Sequence, residues 1–260
     1  MHSTVVHEAR LADSATAASG LAGLFLDERE RDTPGVALPR PEIHVVARFG
    51  PSTNNGVDVH AFGARQHVHR KLLRRGQRSV SARLELGTAE SVLGVAASEL
   101  AGQVVQLDVL WGPTAAERLY QQLAEASDTA SAAGVLQRAI LERLVATGQQ
   151  SRHRQLALQA CQRLTKGKVN AVATELGVSE RQLRRVFRDA IGMSPKEFAK
   201  LTRFQRALGA ARVARQMSWA SIAAAAGYYD QAHLIGEFRS IAGVTPRALV
   251  EELCTATSIG

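Results

Sequence analysis

Cysteine, aromatic residues and long hydrophobic runs are all scarce in this chain of 260 residues. The two cysteines, Cys161 and Cys254, lie far apart and have neither disulfide nor metal-ligand spacing, which favours a reducing compartment. The sequence has no run of about 18 apolar residues, so it predicts no transmembrane helix. Residues 1–25 lack the basic start and apolar centre of a secretory signal. We therefore expect a cytoplasmic protein that does not bind membranes.

Motifs of catalysis are also missing. The sequence contains no glycine-rich phosphate loop, no serine nucleophile elbow and no paired-carboxylate constellation. We therefore predict that the chain is not an enzyme and needs neither a cofactor nor a metal.

The basic charge of the chain lies in its second half. Residues 1–150 hold 15 Lys and Arg against 16 Asp and Glu, whereas residues 151–260 hold 17 against 8. Such a basic domain suits the phosphate backbone of nucleic acid. A membrane surface attracts the same charge, but these arginines lie on helices with inward apolar faces rather than on a lipid-binding face.

A helical unit occurs twice in the basic half. The first copy, LGVSERQLRRVFRDAIGMSP, covers Leu176–Pro195, and the second, AGYYDQAHLIGEFRSIAGVTP, covers Ala226–Pro246. Five positions of the first copy recur 51 residues later, namely Leu183, Phe187, Ala190, Gly192 and Pro195 as Leu234, Phe238, Ile241, Gly243 and Pro246. Each copy has the pattern of a helix-turn-helix.

The first copy has the residues that a helix-turn-helix requires. Ala173 lets two helices cross closely, Gly177 permits a left-handed turn, and Ser179 is a good N-cap for the next helix. That helix, predicted over 180–190, has an inward stripe formed by Leu183, Val186, Phe187 and Ala190. The opposite stripe, the arginine face, consists of Arg181, Arg184, Arg185 and Arg188. Arginine matches both guanine edges and phosphate.

A connecting helix follows the first copy and begins at Ser194-Pro195. Its apolar stripe comprises Phe198, Leu201, Phe204, Ala207 and Leu208, and its polar side carries Lys196, Lys200, Arg203 and Arg206. About twenty residues span roughly 30 Å. This length is close to the roughly 34–36 Å between successive major grooves.

The second copy keeps the scaffold and loses most of the charge. We predict Asp230 as the N-cap, a recognition helix over 231–242, and inward positions at Leu234, Phe238 and Ile241. Ala232, Ile235 and Gly236 stand at the places of three arginines, and Arg239 alone matches an arginine of the first copy. Gly236 is open to two interpretations, sequence drift or close approach of the helix backbone to DNA.

These residues resemble the double helix-turn-helix DNA-binding domain of AraC/XylS-family transcription regulators, over about residues 152–252. The resemblance implies seven helices and two recognition helices in major grooves. It implies base-reading positions at Arg181, Arg184, Arg185, Gln231, Ala232, His233 and Gly236, although the family often has Arg where this chain has Gly236. Phosphate contacts are expected from Ser179, Gln182, Arg188, Lys196, Lys200, Arg203 and Arg239.

The first half has a mixed pattern. We predict a flexible tail over 1–38 with a marginal helix around Leu21–Arg31, and an α+β sensor or oligomerisation domain over 39–147. Strands are predicted at Ile43–Gly50, Val57–Ala64 and Val80–Leu86. Apolar and polar residues alternate most clearly in the last of these. Helices are predicted at Ala89–Leu93, Ala97–Leu100, Pro113–Ala126 and Val135–Ala146, and a Ser/Ala-rich segment precedes the last of them. A linker to the second domain is predicted at 148–151, and a C-terminal tail at 253–260. Residues Arg83–Gly112 resemble the domain that precedes the DNA-binding domain in one branch of the family, which typically has a Phe and a Pro where this chain has Leu84 and Leu86.

Three features of this half have alternative interpretations. His60, His67 and His69 are either ordinary histidines or metal ligands without a completing acid or cysteine. The basic run Arg70, Lys71, Arg74, Arg75 and Arg78 is either a solvated hairpin rim, an anion-binding site or an addition to the DNA contacts. Trp111 is either a core aromatic or a stacking platform for a ligand.

The predicted fold class is therefore α+β: a small mixed α/β N-terminal domain, then an all-α domain with two helix-turn-helix units joined by a linker helix. The predicted function is a nucleoid-associated, sequence-specific transcription regulator that binds double-stranded DNA. The alternatives are an architectural DNA binder and a DNA-repair alkyl acceptor, for which neither cysteine has a Pro-Cys-His context. RNA polymerase, a small-molecule effector and a second copy of the chain remain open as partners. The effector-binding residues, the operator and the sign of regulation are unknown from sequence.

Overall fold

A sheet-rich N-terminal domain and a helical C-terminal domain make up the computed structural model, which describes residues 7–9, 20–50, 53, 56–147, 152–165, 167–213 and 217–259. This arrangement confirms the predicted fold class. None of the helices in these ranges combines the length and apolarity needed to cross a membrane.

Two sheets and a set of helices build the N-terminal domain. The strands are β1 (His7–Ala9), β2 (Leu21–Glu28), β3 (Thr33–Ala37), β4 (His44–Phe49), β5 (Val57–Phe62), β6 (His69–Leu73), β7 (Arg78–Leu84), β8 (Val104–Gln106) and the C-terminal β9 (Thr257–Ile259). The helices are α1 (Ala89–Leu93), α2 (Ala97–Leu100), α3 (Leu107–Trp111), α4 (Pro113–Ala124) and α5 (Thr129–Thr147). Strands pair antiparallel in the order β1-β2-β7-β4-β5-β8, and a second sheet has the order β6-β3-β9.

Alternation along the strands separates an apolar face from a polar face. Val80, Ala82 and Leu84 of β7 are buried, as the sequence pattern predicts, and they belong to one hydrophobic core with Leu136 and Ile140 of α5. Because successive side chains point to opposite sides of a strand, the intervening polar residues lie on the other face of the same sheet. The predicted strands at 43–50, 57–64 and 80–86 are confirmed as β4, β5 and β7.

The prediction of a tail over 1–38 is wrong for its second half, as is the marginal helix at 21–31. Leu21 and Leu24 have helix-like spacing, yet both are buried in strand β2 opposite Leu84 and Ala82 of β7. An irregularity in the pairing between Leu21 and Gly23 shifts the register, and such a bulge turns an i, i+3 pair onto one face of a strand. Residues 1–6 and 10–19 lie outside the described residues.

Two further boundaries differ from those predicted. Helix α5 begins at Thr129 rather than Val135, because the Asp128 carboxylate accepts a hydrogen bond from the Ser131 amide at 2.7 Å, and Ala132 and Ala133 are buried in the sheet's core. The predicted tail at 253–260 continues a helix to Thr255 and then pairs in parallel with β3 as strand β9. The predicted linker at 148–151 lies outside the described residues.

Seven helices form the described part of the C-terminal domain, in agreement with the family resemblance. They are α6 (Arg152–Leu164), α7 (Val169–Glu175), α8 (Glu180–Ile191), α9 (Pro195–Val213), α10 (Trp219–Ala226), α11 (Gln231–Ala242) and α12 (Pro246–Thr255). Helix α9 lies between the two halves: its Phe198 ring packs against Phe187 of α8 at 5.4 Å, and its Phe204 ring packs against Phe238 of α11 at 4.5 Å. The connector therefore contributes to the core of both units.

The two domains contact each other at the ends of α8 and α11. The Val68 amide donates to the Ile241 carbonyl at 3.0 Å, and Arg70 donates to both carboxylate oxygens of Glu252 at 2.6 and 2.8 Å. A further guanidinium nitrogen of Arg70 donates to the Ala242 carbonyl at 3.0 Å. Thus β6 and the residue that precedes it are attached to α11 and α12 by both backbone and side chain.

The C-terminal end of α8 also contacts the N-terminal domain. Gly192, directly after α8, has a φ of +82°, and a Cβ there would lie 2.8 Å from the Ala97 carbonyl oxygen at the start of α2. Only glycine fits both the left-handed backbone and this close approach. The C-terminal ends of both helices thus contact the N-terminal domain.

We expect Arg70→Ala to lower the free energy of unfolding by about 1–2 kcal/mol, because it removes a bidentate ion pair and a part-buried hydrogen bond to Ala242. Amide hydrogen exchange should also speed up within residues 241–259. Arg74→Ala is the matched control, since its ion pair with Asp32 on the same hairpin is more exposed and should contribute less than about 0.5 kcal/mol. Equal effects of the two substitutions would contradict this account of the domain contact.

Candidate nucleic-acid interface

The first helix-turn-helix consists of α7, a tight turn and α8. Gly177 in the turn has a φ of +67°, as predicted, and the Val178 amide donates to the Ala173 carbonyl at 3.0 Å. The Ser179 hydroxyl accepts a hydrogen bond from the Gln182 amide at 3.2 Å, which confirms Ser179 as the N-cap. The turn therefore fixes where α8 begins and its direction relative to α7.

Helix α8 has the two faces that its sequence predicts. Leu183, Val186 and Phe187 are buried, whereas Ala190 is half-buried and Ile191 completes the inward face. The arginine face is exposed at all four positions. Burial of one stripe thus presents the other stripe to solvent.

The arginines of this face differ in their partners. Arg184 forms an i, i+4 ion pair with Glu180, and both side chains are largely exposed. Arg181 and Arg185 make no ion pair or hydrogen bond through their side chains with any residue in the described ranges. Two of the four guanidinium groups are therefore open to an external partner, and Arg184 has only a weak, exposed ion pair.

The second helix-turn-helix repeats this geometry with α10 and α11. Gly227 has a φ of +87°, and the Asp230 carboxylate accepts a hydrogen bond from the His233 amide at 2.7 Å, which confirms Asp230 as the N-cap. Leu234, Phe238 and Ile241 are buried, as predicted. The two units thus share one construction.

The outward face of α11 is open rather than basic. The four predicted base-reading positions, Gln231, Ala232, His233 and Gly236, are all exposed. A Cβ at Gly236 would meet no described heavy atom within 4 Å, so no packing constraint within the described domain explains the glycine. The His233 ring stands edge-on to Tyr228 at 5.3 Å, which restrains its orientation.

Comparison with known families agrees with this duplicated geometry. The model of a family described as "Helix-turn-helix domain" matches residues 172–252. These residues form an AraC-type helix-turn-helix domain. The match covers both helix-turn-helix units and the connector α9, and it supports a DNA-binding transcription regulator.

Several solved structures resemble parts of the chain at low identity. The C-terminal domain of AraT, a response regulator from Geobacillus stearothermophilus, is 22% identical over 39% of this chain and 88% of its own, with a TM-score of 0.36. A transcriptional regulator from Chromobacterium violaceum is 23% identical over 38% of this chain and 91% of its own, with a TM-score of 0.34. ToxT from Vibrio cholerae is 11% identical over 90% of this chain and 98% of its own, with a TM-score of 0.42. No curated protein matches the chain in sequence.

A buried carboxylate joins three elements of the AraC-type domain, and the sequence reasoning overlooked it. Glu237 of α11 is 8% exposed and accepts hydrogen bonds from the Tyr228 hydroxyl at 2.6 Å and from Arg203 of α9 at 3.0 Å. Burial, together with the Glu237 carboxylate, raises the pKa of Tyr228. The signal was available in the sequence, because position 237 lies three residues after Leu234 and so falls on the inward stripe of α11.

Ser179 and Gln182, two of the predicted phosphate-binding residues, form the N-cap of α8, and the five basic ones fall into three groups. Arg188, Lys196 and Arg239 are exposed. Lys200 donates to the Ser240 hydroxyl at 3.0 Å, and thereby links α9 to α11. Arg203 is half-buried in its ion pair with Glu237 and lies over the Tyr228 ring at 5.6 Å.

The histidines and Trp111 of the N-terminal domain are placed apart from this interface. No group of three or more His, Cys, Asp or Glu side chains among the described residues could hold a metal ion. His67 and His69 are exposed, whereas His60 lies half-buried on β5. Trp111 donates from its indole nitrogen to the Val92 carbonyl at 2.9 Å and packs at the edge of the N-terminal core, which favours the core interpretation.

Neither the burial nor the surroundings of Cys161 suit a reactive thiol. Cys161 is 7% exposed on α6, and burial raises its pKa to about 12. The thiolate is the nucleophilic form, so this thiol is almost wholly in the unreactive state at neutral pH. Cys254, by contrast, is exposed.

We expect Glu237→Ala to lower the free energy of unfolding by about 2–4 kcal/mol, because it leaves the Tyr228 hydroxyl and the Arg203 guanidinium without their shared acceptor. Urea unfolding at pH 7 measures this change. The control is Glu251→Ala, which removes an exposed i, i+4 pair with Arg247 and should cost less than about 0.5 kcal/mol. A cost for Glu237→Ala no larger than that of the control would show that the network does not stabilise the domain.

The two cysteines should differ sharply in reactivity. At pH 8 a thiol with a pKa of about 12 is roughly one part in ten thousand thiolate, so iodoacetamide should label Cys254 within minutes and Cys161 only when the chain unfolds. Mass spectrometry of digests taken over time follows both sites. Cys254→Ser should remove the fast reaction. Rapid labelling of Cys161 in the folded chain would refute its assignment as a buried, protonated thiol.

Proposed function

We propose that the chain is a sequence-specific transcription regulator that reads double-stranded DNA with α8 and α11 in neighbouring major grooves. The observation that supports this proposal is the pairing of two exposed recognition helices through one connector, α9. Its 19 residues span about 28 Å at 1.5 Å per residue. That length suits the roughly 34–36 Å between major grooves on one side of DNA.

In this proposal the first unit carries most of the base discrimination. Arg181, Arg184 and Arg185 reach base edges from the exposed side of α8, where arginine binds guanine O6 and N7 in a bidentate manner. Arg184 exchanges its Glu180 partner for the base, at little cost because that pair is exposed.

In this proposal the second unit reads DNA through close approach of the α11 backbone to the groove. Ala232 and Gly236 leave α11 without bulk on its outward side, so that its backbone comes near the groove. Gln231 and His233 supply polar groups to base edges, and Tyr228 orients the histidine ring. This unit adds positioning and shape readout to the specificity of the first.

The phosphate contacts surround these reading positions. Arg188, Lys196 and Arg239 are exposed cations for phosphate, while Ser179, Gln182 and Lys200 lie at helix ends or between helices. In this proposal Arg203 acts mainly by holding α9 to α11 through Glu237. Phosphate contacts fix the position of a protein on DNA without reading sequence.

We further propose that the two domains divide near residues 148–151 and that the second copy of the chain, RNA polymerase and a small-molecule effector are partners in regulation. The function requires no catalytic step by the chain. The burial of Cys161 argues against that residue as a DNA-repair alkyl acceptor, since an acceptor needs an accessible thiolate, and the exposed Cys254 lacks a Pro-Cys-His context.

The proposal predicts different behaviour for arginines of the two units. We expect Arg184→Ala and Arg185→Ala each to weaken binding of the preferred sequence by about 5–150-fold and to change binding of scrambled DNA little, because each bidentate base contact contributes about 1–3 kcal/mol. Arg239→Ala should weaken both DNAs evenly.

Selection of bound DNA from a random pool supplies the preferred sequence, and fluorescence anisotropy at fixed salt then measures each variant on preferred and scrambled DNA. Arg118→Gln, an exposed arginine of α4, is the control that changes charge alone. Equal losses on both DNAs for the two α8 variants would exclude them as base readers. A wild-type chain that binds random DNA as tightly as the selected sequence would instead indicate an architectural binder.

A further inference from the structure

A cavity of about 310 Å³ lies on the polar face of the six-stranded sheet, on the side away from the helical core. Strands β2, β4 and β7 form its floor, and Lys71 and Leu73 of β6 close one side. Binding sites for small molecules are typically concave and of roughly 300–1,000 Å³. The cavity is therefore large enough for a small metabolite and too small for a macromolecule.

Positive charge dominates the wall of this cavity. Of the described residues that line it, one, Asp27, is acidic, and it is paired with Arg29. Six are basic, and we call the space they surround the cationic cavity: Arg29, Arg40, Arg48, Arg65, Lys71 and Arg83. Cations gathered in a partly desolvated space repel one another unless an anion joins them.

Burial and neighbouring positive charges lower the pKa values of two wall residues. Loss of solvation, followed by the charges of Arg48 and Arg65, lowers the pKa of Lys71 to about 8. Burial, followed by the charges of Arg65, Arg40 and Arg83, lowers the pKa of His44 to about 3. The imidazole is thus neutral, and the pKa of the lysine is low chiefly because it loses solvation and further because of the neighbouring cations.

Polar groups in the wall are held in place and retain unused hydrogen-bonding capacity. His44 is 2% exposed, its Nδ1 lies 3.1 Å from the Ser81 hydroxyl, and its Nε2 has no hydrogen-bond partner among the described residues. Arg83 lies over the Phe25 ring at 5.0 Å and donates to the Ala22 carbonyl at 3.0 Å, while its Nε likewise has no described partner. Buried polar atoms are nearly always hydrogen-bonded, so these two point to a missing partner.

We propose that the cationic cavity binds a small organic anion with more than one negative charge, through carboxylate or phosphate oxygens. Guanidinium groups match both head groups in a bidentate manner. Phe25, Val46 and Phe62 in the same wall suit the carbon skeleton of such a ligand. A neutral or purely apolar ligand would add no negative charge to a wall in which six basic residues face one acidic residue.

Isothermal titration calorimetry on the full chain, at pH 7 and constant ionic strength, tests the proposal with citrate, fructose 1,6-bisphosphate and glucose. We expect one or both anions to bind and glucose not to bind, and the tighter anion identifies the head group as carboxylate or phosphate. Lys71→Met and Arg83→Gln should each weaken binding about tenfold or more, because each removes a charge-assisted contact. Arg118→Gln, which removes an exposed arginine outside the cavity, should bind like the wild type.

The pH dependence gives a second readout. Arg48, Arg65, Arg29 and Asp27 are the charged groups that act on Lys71, and a bound anion would raise its pKa above about 8. Affinity should therefore be greatest below pH 8 and fall as the pH rises through 9, with proton uptake at pH 8 that is lost in Lys71→Met. The proposal is overturned if neither anion binds, or if the cavity variants and Arg118→Gln bind equally well. Lys71 lies at the mouth of the cavity, so its variant remains informative even if Arg83→Gln does not fold.

Discussion

The packing of α9 against both recognition units is the constraint on which the DNA-binding half depends. Phe198 and Phe204 lie on one connector helix, yet their rings meet Phe187 of α8 and Phe238 of α11. The Arg203–Glu237 pair and the Lys200–Ser240 hydrogen bond tie the same helix to α11 through polar contacts. Two readers attached to one rigid helix keep a fixed spacing, which is what simultaneous binding in two grooves requires. The outward residues are free to vary because the inward ones carry the packing.

Local rules were sufficient to predict most of this half from sequence. Ser179 and Asp230 are N-caps, Gly177 adopts a left-handed conformation, and the inward stripes follow helical periodicity, each within a few residues in the chain. Glu237 was missed for the opposite reason, since its role depends on Tyr228 and on Arg203, 34 residues away in sequence. A charged residue in an apolar stripe marks such a pair, although its partner cannot be read from periodicity alone.

The N-terminal half was harder to predict because its contacts are not local. A bulge near Leu21 gives a strand the spacing of a helix, and β9 pairs with β3 across more than two hundred residues of sequence. The cationic cavity has the same origin. Asp27, His44 and Arg83 come from three strands of the six-stranded sheet and Lys71 from the second sheet, so only strand register and the placement of the two sheets bring them together. Of the basic run at 70–78, Arg70 contacts the other domain, Lys71 lines the cavity and Arg74 pairs with Asp32, a division that composition does not reveal.

Strand β6 connects the two halves physically. Neighbouring side chains on a strand point to opposite sides, and here Lys71 lines the cationic cavity while Arg70 binds Glu252 and the Ala242 carbonyl at the end of α11. The backbone of β6 is paired with β3, and β3 is paired with β9, which follows α12. A shift of β6 toward an anion in the cavity would therefore pull on the last turn of α11 and on α12 together. Since α9 packs against both α8 and α11, such a shift would act on the two readers together, against the contact between Gly192 and α2.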